Sequence, residues 1–435
     1  MEYLPNILFA IVLILGLGYF IKNITKLRRN IKLGQSIDVS DNKSQRWKNM
    51  AMIALGQSKM VRRPIAGILH IIVYLGFVII NIEVIEIIID GLFGTHRILS
   101  DLGSIYGVLI ASFEVLALLV LIAVVIFWVR RNIIKLQRFW KREMTSWPKN
   151  DANFILYFEM VLMTLFLVMN ATDVHFQEMN SGNIISQFIA PWFEFISEST
   201  LHIIERSAWW LHIICILTFL NYLYFSKHLH ILLAFPNTYY GSLKPKGQLD
   251  NLEAVTNEVM MMMDPNADPF ATPEPGVEED VPAKFGASDV QDLNWVQLLN
   301  SYTCTECGRC TSECPANQTG KQLSPRKIMM DTRDRLEEVG KNIDANKGVF
   351  NDDGKQLLDD YITREDIWAC TSCNACVEAC PVSINPLSII LDMRRYLVME
   401  QSAAPTELNN MMTNIENNGA PWPYNQKDRL NWKDE

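Results

Sequence analysis

Two cysteine runs carry the densest chemistry in this 435-residue chain: "CTECGRCTSECP" (304–315) and "CTSCNACVEACP" (370–381). Each reads C-x2-C-x2-C-x3-C-P. In that spacing three thiolates wrap one 4Fe–4S cubane, while the fourth, redirected by the proline, ligates the other cluster. The assignment is Cys304, Cys307, Cys310 and Cys380 for one cluster, and Cys370, Cys373, Cys376 and Cys314 for the second. Zinc sites pair two C-x2-C knuckles and do not need the fourth cysteine before proline. Disulfides do not suit a reducing compartment. The ninth cysteine, Cys215, lies inside an apolar run and reads as packing.

Each run is followed by the same short pattern. "SPRKIMMDTR" (324–333) and "NPLSIILDMR" (385–394) share Pro, Ile, Asp and Arg at equal offsets. Ser324 and Asn385 are natural N-caps, with Pro325 and Pro386 in the first helical turn. The chain therefore duplicates one unit, a cluster loop plus a capped helix. The insertion at about 335–365 reads as helix and loop, and Arg309 and Lys321 are candidates either to balance cluster charge or to form a solvated surface.

Histidines supply the second chemistry. The apolar stretch "WWLHIICILTFLNYLYFSKHLH" (209–230) holds His212, His228 and His230. As one continuous helix, His212 and His230 share a face about five turns, or roughly 27 Å, apart, and His228 points about 160° away. His70 follows Arg62 and Arg63 at the start of another apolar run, at a depth where it can meet His230. That pair is the expected axial ligand set of one haem b. His212 is a candidate ligand of a second haem, with its partner open among His175, His202 and His96, and His175 preferred. Glu83, Glu86, Glu114 and Glu159 are candidates for proton relay or quinol binding, or for bonding a neighbouring helix.

These residues sit in two unlike halves. Residues 1–235 carry 21 Lys and Arg against 16 Asp and Glu, and residues 236–435 carry 18 against 32. The acidic half holds eight of the nine cysteines, and nothing suggests nucleic acid. Five apolar stretches reach the ~20 residues a bilayer needs: Leu4–Ile21, Pro64–Asp90, Gly103–Val129, Asn153–Ala171 and Trp209–Ala234. Eleven Lys and Arg in the 22–63 loop and seven in 130–152, against Arg97 alone in 91–102 and Arg206 alone in 172–208, place the N-terminus outside and the iron–sulfur half in the cytoplasm. A multi-pass protein of a bacterial inner membrane is expected. The first stretch reads as a retained helix rather than a signal peptide, and the segment between the fourth and fifth spans as an interfacial helix.

The expected fold is all-α: a five-helix transmembrane bundle (1–235), a flexible acidic Pro-rich linker (236–292), a helical two-cluster ferredoxin domain (293–400) and a C-terminal tail for partner contact (401–435). Within the linker, "LDNLEAVTNEVMMMM" reads as a short helix.

Residues 1–235 resemble the gamma subunit of respiratory nitrate reductase, a five-helix cytochrome b that oxidises quinol. His212, "HLH" at 228–230 and His70 carry the likeness, while Ile80 stands where that family places the outer-haem ligand of its second helix. The second half is similar to iron–sulfur subunits of heterodisulfide reductases and their respiratory relatives, on "FGASDVQDLNWVQLLNSYTCTECGRCTSECPA", "LSPRK", "WACTSCNACVEACPV" and "NNGAPWPYNQKDRLNW". The resemblance implies a membrane-anchored subunit passing electrons between (mena)quinone, haem b, two 4Fe–4S clusters and a cytoplasmic catalytic subunit of CCG type. No cysteine follows Cys380, so that subunit is expected to be a separate polypeptide. The rival reading is a membrane ferredoxin-type maturation factor, which needs clusters and no haem.

Overall fold

In a computed structural model of the chain, residues 3–245, 247–264 and 284–434 are described. Among them there is no strand, and five helices are long and apolar enough to cross a membrane. They are α1 (Leu4–Ile31), α2 (Pro64–Phe93), α3 (Ser104–Asn132), α4 (Trp147–Thr172) and α5 (Glu198–Tyr222). Each packs on its neighbour in sequence, and α1 closes the ring by touching both α2 and α5. Glycine permits the close approach of α1 to α2: a Cβ on Gly91 would lie 2.6 Å from the Phe9 ring.

Two helix ends depart from the apolar pattern. The first helix continues ten residues past Ile21, because its polar end is held by protein contacts rather than by lipid. Leu27 and Asn30 are buried there, Asn30 Nδ2 donates to Tyr302 Oη at 2.9 Å, and Arg29 Nη2 to the Gly340 carbonyl at 3.0 Å. The fifth helix begins eleven residues before Trp209, since Glu205 is neutralised by the adjacent Arg206 and enters the bundle buried. The last nine residues of the expected interfacial segment are thereby absorbed, and the rest forms short helices at Val174–Glu178, Ser186–Ile189 and Ala190–Phe193.

The fifth helix also stops early. After a 3-10 turn at Leu223–Phe225 the chain becomes extended at Ser226, and it resumes as α6 (His230–Tyr239). Asp151 holds the break, accepting from Tyr222 Oη at 2.6 Å and from the Lys227 amide at 3.1 Å, while Ser226 Oγ accepts from the His228 amide. His212 and His230 are therefore not on one helix, and the shared-face geometry expected for them does not hold.

The second half is built on α7 (Trp295–Thr303), α8 (Arg309–Glu313), α9 (Pro325–Ala345), α10 (Ala375–Ala379) and α11 (Pro386–Arg395). The caps fall where the repeat places them: Ser324 accepts from the Lys327 amide and Asn385 from the Ser388 amide. The two cysteine-bearing helices, α8 and α10, pack on one another, as do α9 and α11. The expected linker is ordered at both ends. The α6 helix runs to Tyr239, a helix spans Glu253–Met263, and Ala287 and Val290 are buried in the second core. Most of the Pro-rich stretch, residues 265–283, lies outside the described residues. The tail forms a helix at Thr406–Asn418 and a 3-10 helix at Gln426–Lys433.

Arg335 on α9 ties the entry segment to the insertion. It is wholly buried and donates to Asp289 at 2.8 Å, to Asp353 at 2.6 Å and to the Lys355 carbonyl at 2.8 Å. Arg335→Met strands two carboxylates and is expected to cost about 3–5 kcal/mol, read as earlier loss of cluster absorbance in a urea titration. The Arg335 bond holds the Asp353 carboxyl below its ordinary 3.8. Its contribution is complete at neutral pH and fades as pH falls through that lowered value.

Candidate functional site: paired cysteine loops beside a histidine pair

Helix α7 ends at Cys304, where the backbone turns extended and runs into the first cysteine loop. Glu306 and Gly308 then adopt left-handed φ of 52° and 72°. Their counterparts two and four residues after Cys370, Ser372 and Asn374, do the same at 55° and 60°. Backbone N–H groups reach sulfur from such turns: Ser372 N lies 3.4 Å from Cys370 Sγ, and Ile384 N, after the left-handed Ser383, 3.3 Å from Cys380 Sγ. Such donors suit thiolates bound to iron.

One cavity is lined by Cys304, Cys307, Cys310 and Cys380, with Pro381 and Met329 in its wall. The fourth cysteine thus comes from the other repeat. Burial pushes the Cys304 thiol up to about 12, and neighbouring Cys307 and Cys380 add to it. Burial likewise pushes Cys376 up to about 12, followed by its neighbours Cys370, Cys314 and Cys373. Two sets of four crowded thiols, in which burial resists the ionisation of Cys304 and Cys376, fit groups that displace the protons with metal. The nine cysteines are free of disulfides, and Cys215 packs against the hydrophobic core.

The repeated arginine has a role that its offset alone does not reveal. Arg333 Nη1 donates to Glu306 at 2.8 Å, and Arg394 Nη1 to Ser372 Oγ at 3.1 Å. Each arginine pins the left-handed residue of its own cysteine loop. Arg309 is buried and donates to the Lys59 carbonyl at 3.0 Å, whereas Lys321 is exposed. A further arginine, Arg326, is wholly buried; its Nη1 donates to the Arg138 carbonyl at 2.7 Å and its Nη2 to Glu143 at 2.7 Å.

The His70 and His230 rings lie 6.4 Å apart, centre to centre, tilted by 39°. Two imidazoles on opposite sides of one metal, with bonds of about 2 Å plus the ring radius, have centres about 6 Å apart. His230 Nδ1 lies 3.1 Å from the Lys227 carbonyl, an arrangement that leaves Nε2 for a metal. His70 Nδ1 is buried with no partner among the described residues. His228, expected on the far side, lies 5.4 Å from the His230 ring because of the Ser226 break, with Glu159 at 3.7 Å.

The other candidates are not brought together. His212 is buried against Phe166, 6.3 Å between ring centres, with Nδ1 unpartnered among the described residues. His175 stacks on His96 at 6.0 Å instead, and His202 is exposed beside Glu205. The carboxylates separate by role. Glu114 accepts from the Ile185 and Ser186 amides and from Asn170, and Glu86 from the Leu99 amide, so both hold loops. Glu83 keeps one buried oxygen without a partner among the described residues. Around them Arg97 is buried and donates to Asp173 at 2.7 Å, Asn170 at 2.8 Å and Tyr106 at 3.2 Å. Its sequence context, a short polar loop, carried no sign of this.

Lys227 joins the two centres. Buried three residues before His230, it pairs with Glu306 in the first cysteine loop and donates to the Pro148 carbonyl at 2.6 Å. Lys227 and Arg333 hold the Glu306 carboxyl below the ordinary range against the opposing effect of burial. Lys227→Met is expected to destabilise this seam by about 3–5 kcal/mol, measured as faster proteolytic separation of the two halves in detergent.

Comparison with known proteins points to iron–sulfur clusters. Residues 303–384 match the 4Fe-4S dicluster domain family. The chain is 30% identical to the probable iron-sulfur-binding oxidoreductase FadF of Bacillus subtilis, over 99% of this chain and 61% of that protein. It is 25% identical to the EtfAB:quinone oxidoreductase of Syntrophomonas wolfei, over 91% of this chain and 55% of that protein. Over 34% of its length it is 29% identical to a polypeptide of the dihydromethanophenazine:CoB–CoM heterodisulfide reductase of Methanosarcina mazei, covering 36% of that relative. The chain thus spans a little over half the length of its first two relatives. No solved structure matches. The protein is a membrane protein with a helical 4Fe–4S dicluster domain, similar to iron–sulfur oxidoreductases.

Proposed function

We propose that the chain is a membrane-anchored electron-transfer subunit that passes electrons between quinone, haem b, two 4Fe–4S clusters and a cytoplasmic catalytic unit of the heterodisulfide reductase type. The observation that carries this reading is the buried seam between the two centres: Lys227, on the turn that delivers His230, pairs with Glu306 between Cys304 and Cys307. A name among the relatives, EtfAB:quinone oxidoreductase, supports quinone as the membrane-side reactant.

In this reading His70 and His230 would hold the haem, and the crossed cysteine sets would hold the clusters. When bound, these groups supply one-electron transfer. The residues of the chain do the positioning. The Lys227 carbonyl orients His230, Arg333 and Arg394 fix the two cysteine loops, and Arg309 and Arg326 place buried positive charge beside the first set. The basic loops favour a cysteine domain in the cytoplasm of a bacterial inner membrane, with the N-terminus outside. The tail after residue 400, with Trp422 and Trp432 exposed, is the proposed partner contact.

The test is a dithionite-reduced minus oxidised spectrum of the detergent-purified protein, with a pyridine haemochrome count against iron and sulfide. About one haem b with about eight cluster irons, both reduced by a menaquinol analogue, is the expected result. Eight irons with no haem, from cells supplied with haem, would overturn the cytochrome reading in favour of a maturation factor.

A further inference from the structure

At the end of the bundle that faces the cysteine domain, a cleft of about 460 Å³ opens between the start of α2 and the loop after α3. Its lining includes Arg62, Arg63, Ile65, Arg130, Gln137 and Arg138. Two of the four arginines are committed elsewhere: Arg62 pairs with Glu378 at 2.5 Å and Arg63 with Glu313 at 2.9 Å, both on the cysteine domain. Arg130 and Arg138 pair with no carboxylate among the described residues. Arg138 Nε is buried without a hydrogen-bond partner there, and its guanidinium sits 4.8 Å over the Phe139 ring. Burial, with the neighbouring Arg63, Arg309 and Arg130 cations, lowers the Arg138 guanidinium to about 10 despite the nearby Cys307. Arg130 and Arg138 thus bring to the cleft positive charge that no carboxylate among the described residues answers.

The cleft lies at headgroup depth, where the apolar run of α2 begins and that of α3 ends. Its lip continues into exposed aliphatic side chains: Ile65 at 62%, Ile133 at 63% and Ile134 at 60%. The first turn of the 30-residue α2 helix, from Pro64 to Ala66, lines the same space. A phosphate in the cleft would meet two free guanidinium groups, while two acyl chains would cover the isoleucines. Basic pockets at this side of a helix bundle are lipid-headgroup sites by the same logic.

We propose that this cleft binds an anionic phospholipid, its phosphodiester between Arg130 and Arg138 and its acyl chains along Ile65, Ile133 and Ile134. The site also bears on the cysteine domain, because the Arg138 carbonyl accepts from Arg326 and a Cβ at Gly308 would touch Arg138 at 3.4 Å. A lipid seated there would pin the loop that borders the first cysteine set.

The shared chemistry is a phosphate, which a lipid or a soluble anion could bring, and the test separates them. The full-length, delipidated protein in mild detergent is titrated with phosphatidylglycerol, with phosphatidylcholine of the same chains, and with inorganic phosphate, and adducts are followed by native mass spectrometry. Phosphatidylglycerol is expected to be retained where phosphatidylcholine is stripped. Each arginine near an anionic lipid accounts for about fivefold in affinity, so R130Q should weaken phosphatidylglycerol about fivefold and R130Q/R138Q about 25-fold. Iron content is expected to stay at the wild-type level in R130Q, which shows that the fold is retained. Equal retention of phosphatidylcholine would overturn the proposal. So would wild-type phosphatidylglycerol retention in both variants, or displacement of the lipid by inorganic phosphate at comparable concentration.

Discussion

Cys380→Ser is expected to empty the site made by Cys304, Cys307 and Cys310, not the one made by its own sequence neighbours. Iron should fall from about eight to about four per chain, since serine is a poor substitute for a cluster thiolate. The reason is the proposed crossing of ligands, since Cys380 lines the first cavity and Cys314 lies among Cys370, Cys373 and Cys376. Double variants make the assignment decisive. Cys380→Ser with Cys304→Ser should lose no more iron than Cys380→Ser alone, because both act on one cluster. Cys380→Ser with Cys370→Ser should lose nearly all of it. The opposite ranking would mean that each repeat keeps its own four cysteines.

The second large effect concerns the membrane half. His70→Ala and His230→Ala should each reduce haem from about one per chain to a small residue, with about eight cluster irons left in place. His228→Ala is the matched control. It removes an imidazole 5.4 Å from the His230 ring, yet its own ring faces Glu159 and Phe219. Haem retained in His228→Ala and lost in the other two would support the 6.4 Å pair as the ligand set. Loss in His228→Ala with retention in His230→Ala would transfer the ligand to His228. His212→Ala reads out separately: haem is expected to stay at about one per chain, because the neighbour of His212 is Phe166, and a loss of haem would make His212 a ligand.

What could be read in the sequence was whatever is encoded locally. Cluster spacing, the Ser324 and Asn385 caps and the apolar length of five helices all depend on residues within a turn or two of one another. What escaped depended on distant partners. Residues 22–31 look like a loop by hydropathy, and they are helical because Tyr302, Gly340 and Asp344 meet them. The break at Ser226 depends on Asp151, some seventy-five residues earlier, and nothing between Trp209 and His230 announces it. The same break moved His228 from the far face to the side of His230, so a helical wheel misplaced it. Arg97 looked like an ordinary loop cation, because Asp173, Asn170 and Tyr106 come to it only in three dimensions. The repeated arginines were visible as a pattern but not as clamps, since the residues they grip sit a loop away.

The overlong first helix has a mechanical consequence. At 1.5 Å per residue its 28 residues measure about 42 Å, against about 30 Å of hydrocarbon. The surplus is a stiff post on which α7 rests through Asn30 and α9 through Arg29, and Arg62, Lys227 and Arg309 brace the same body from other sides. A body braced at several points has no hinge to swing on. Passage of charge between the membrane and the cysteine domain would then be governed by fixed separation, as in a wired circuit, and not by the tumbling of a tethered shuttle waiting to collide with its contact.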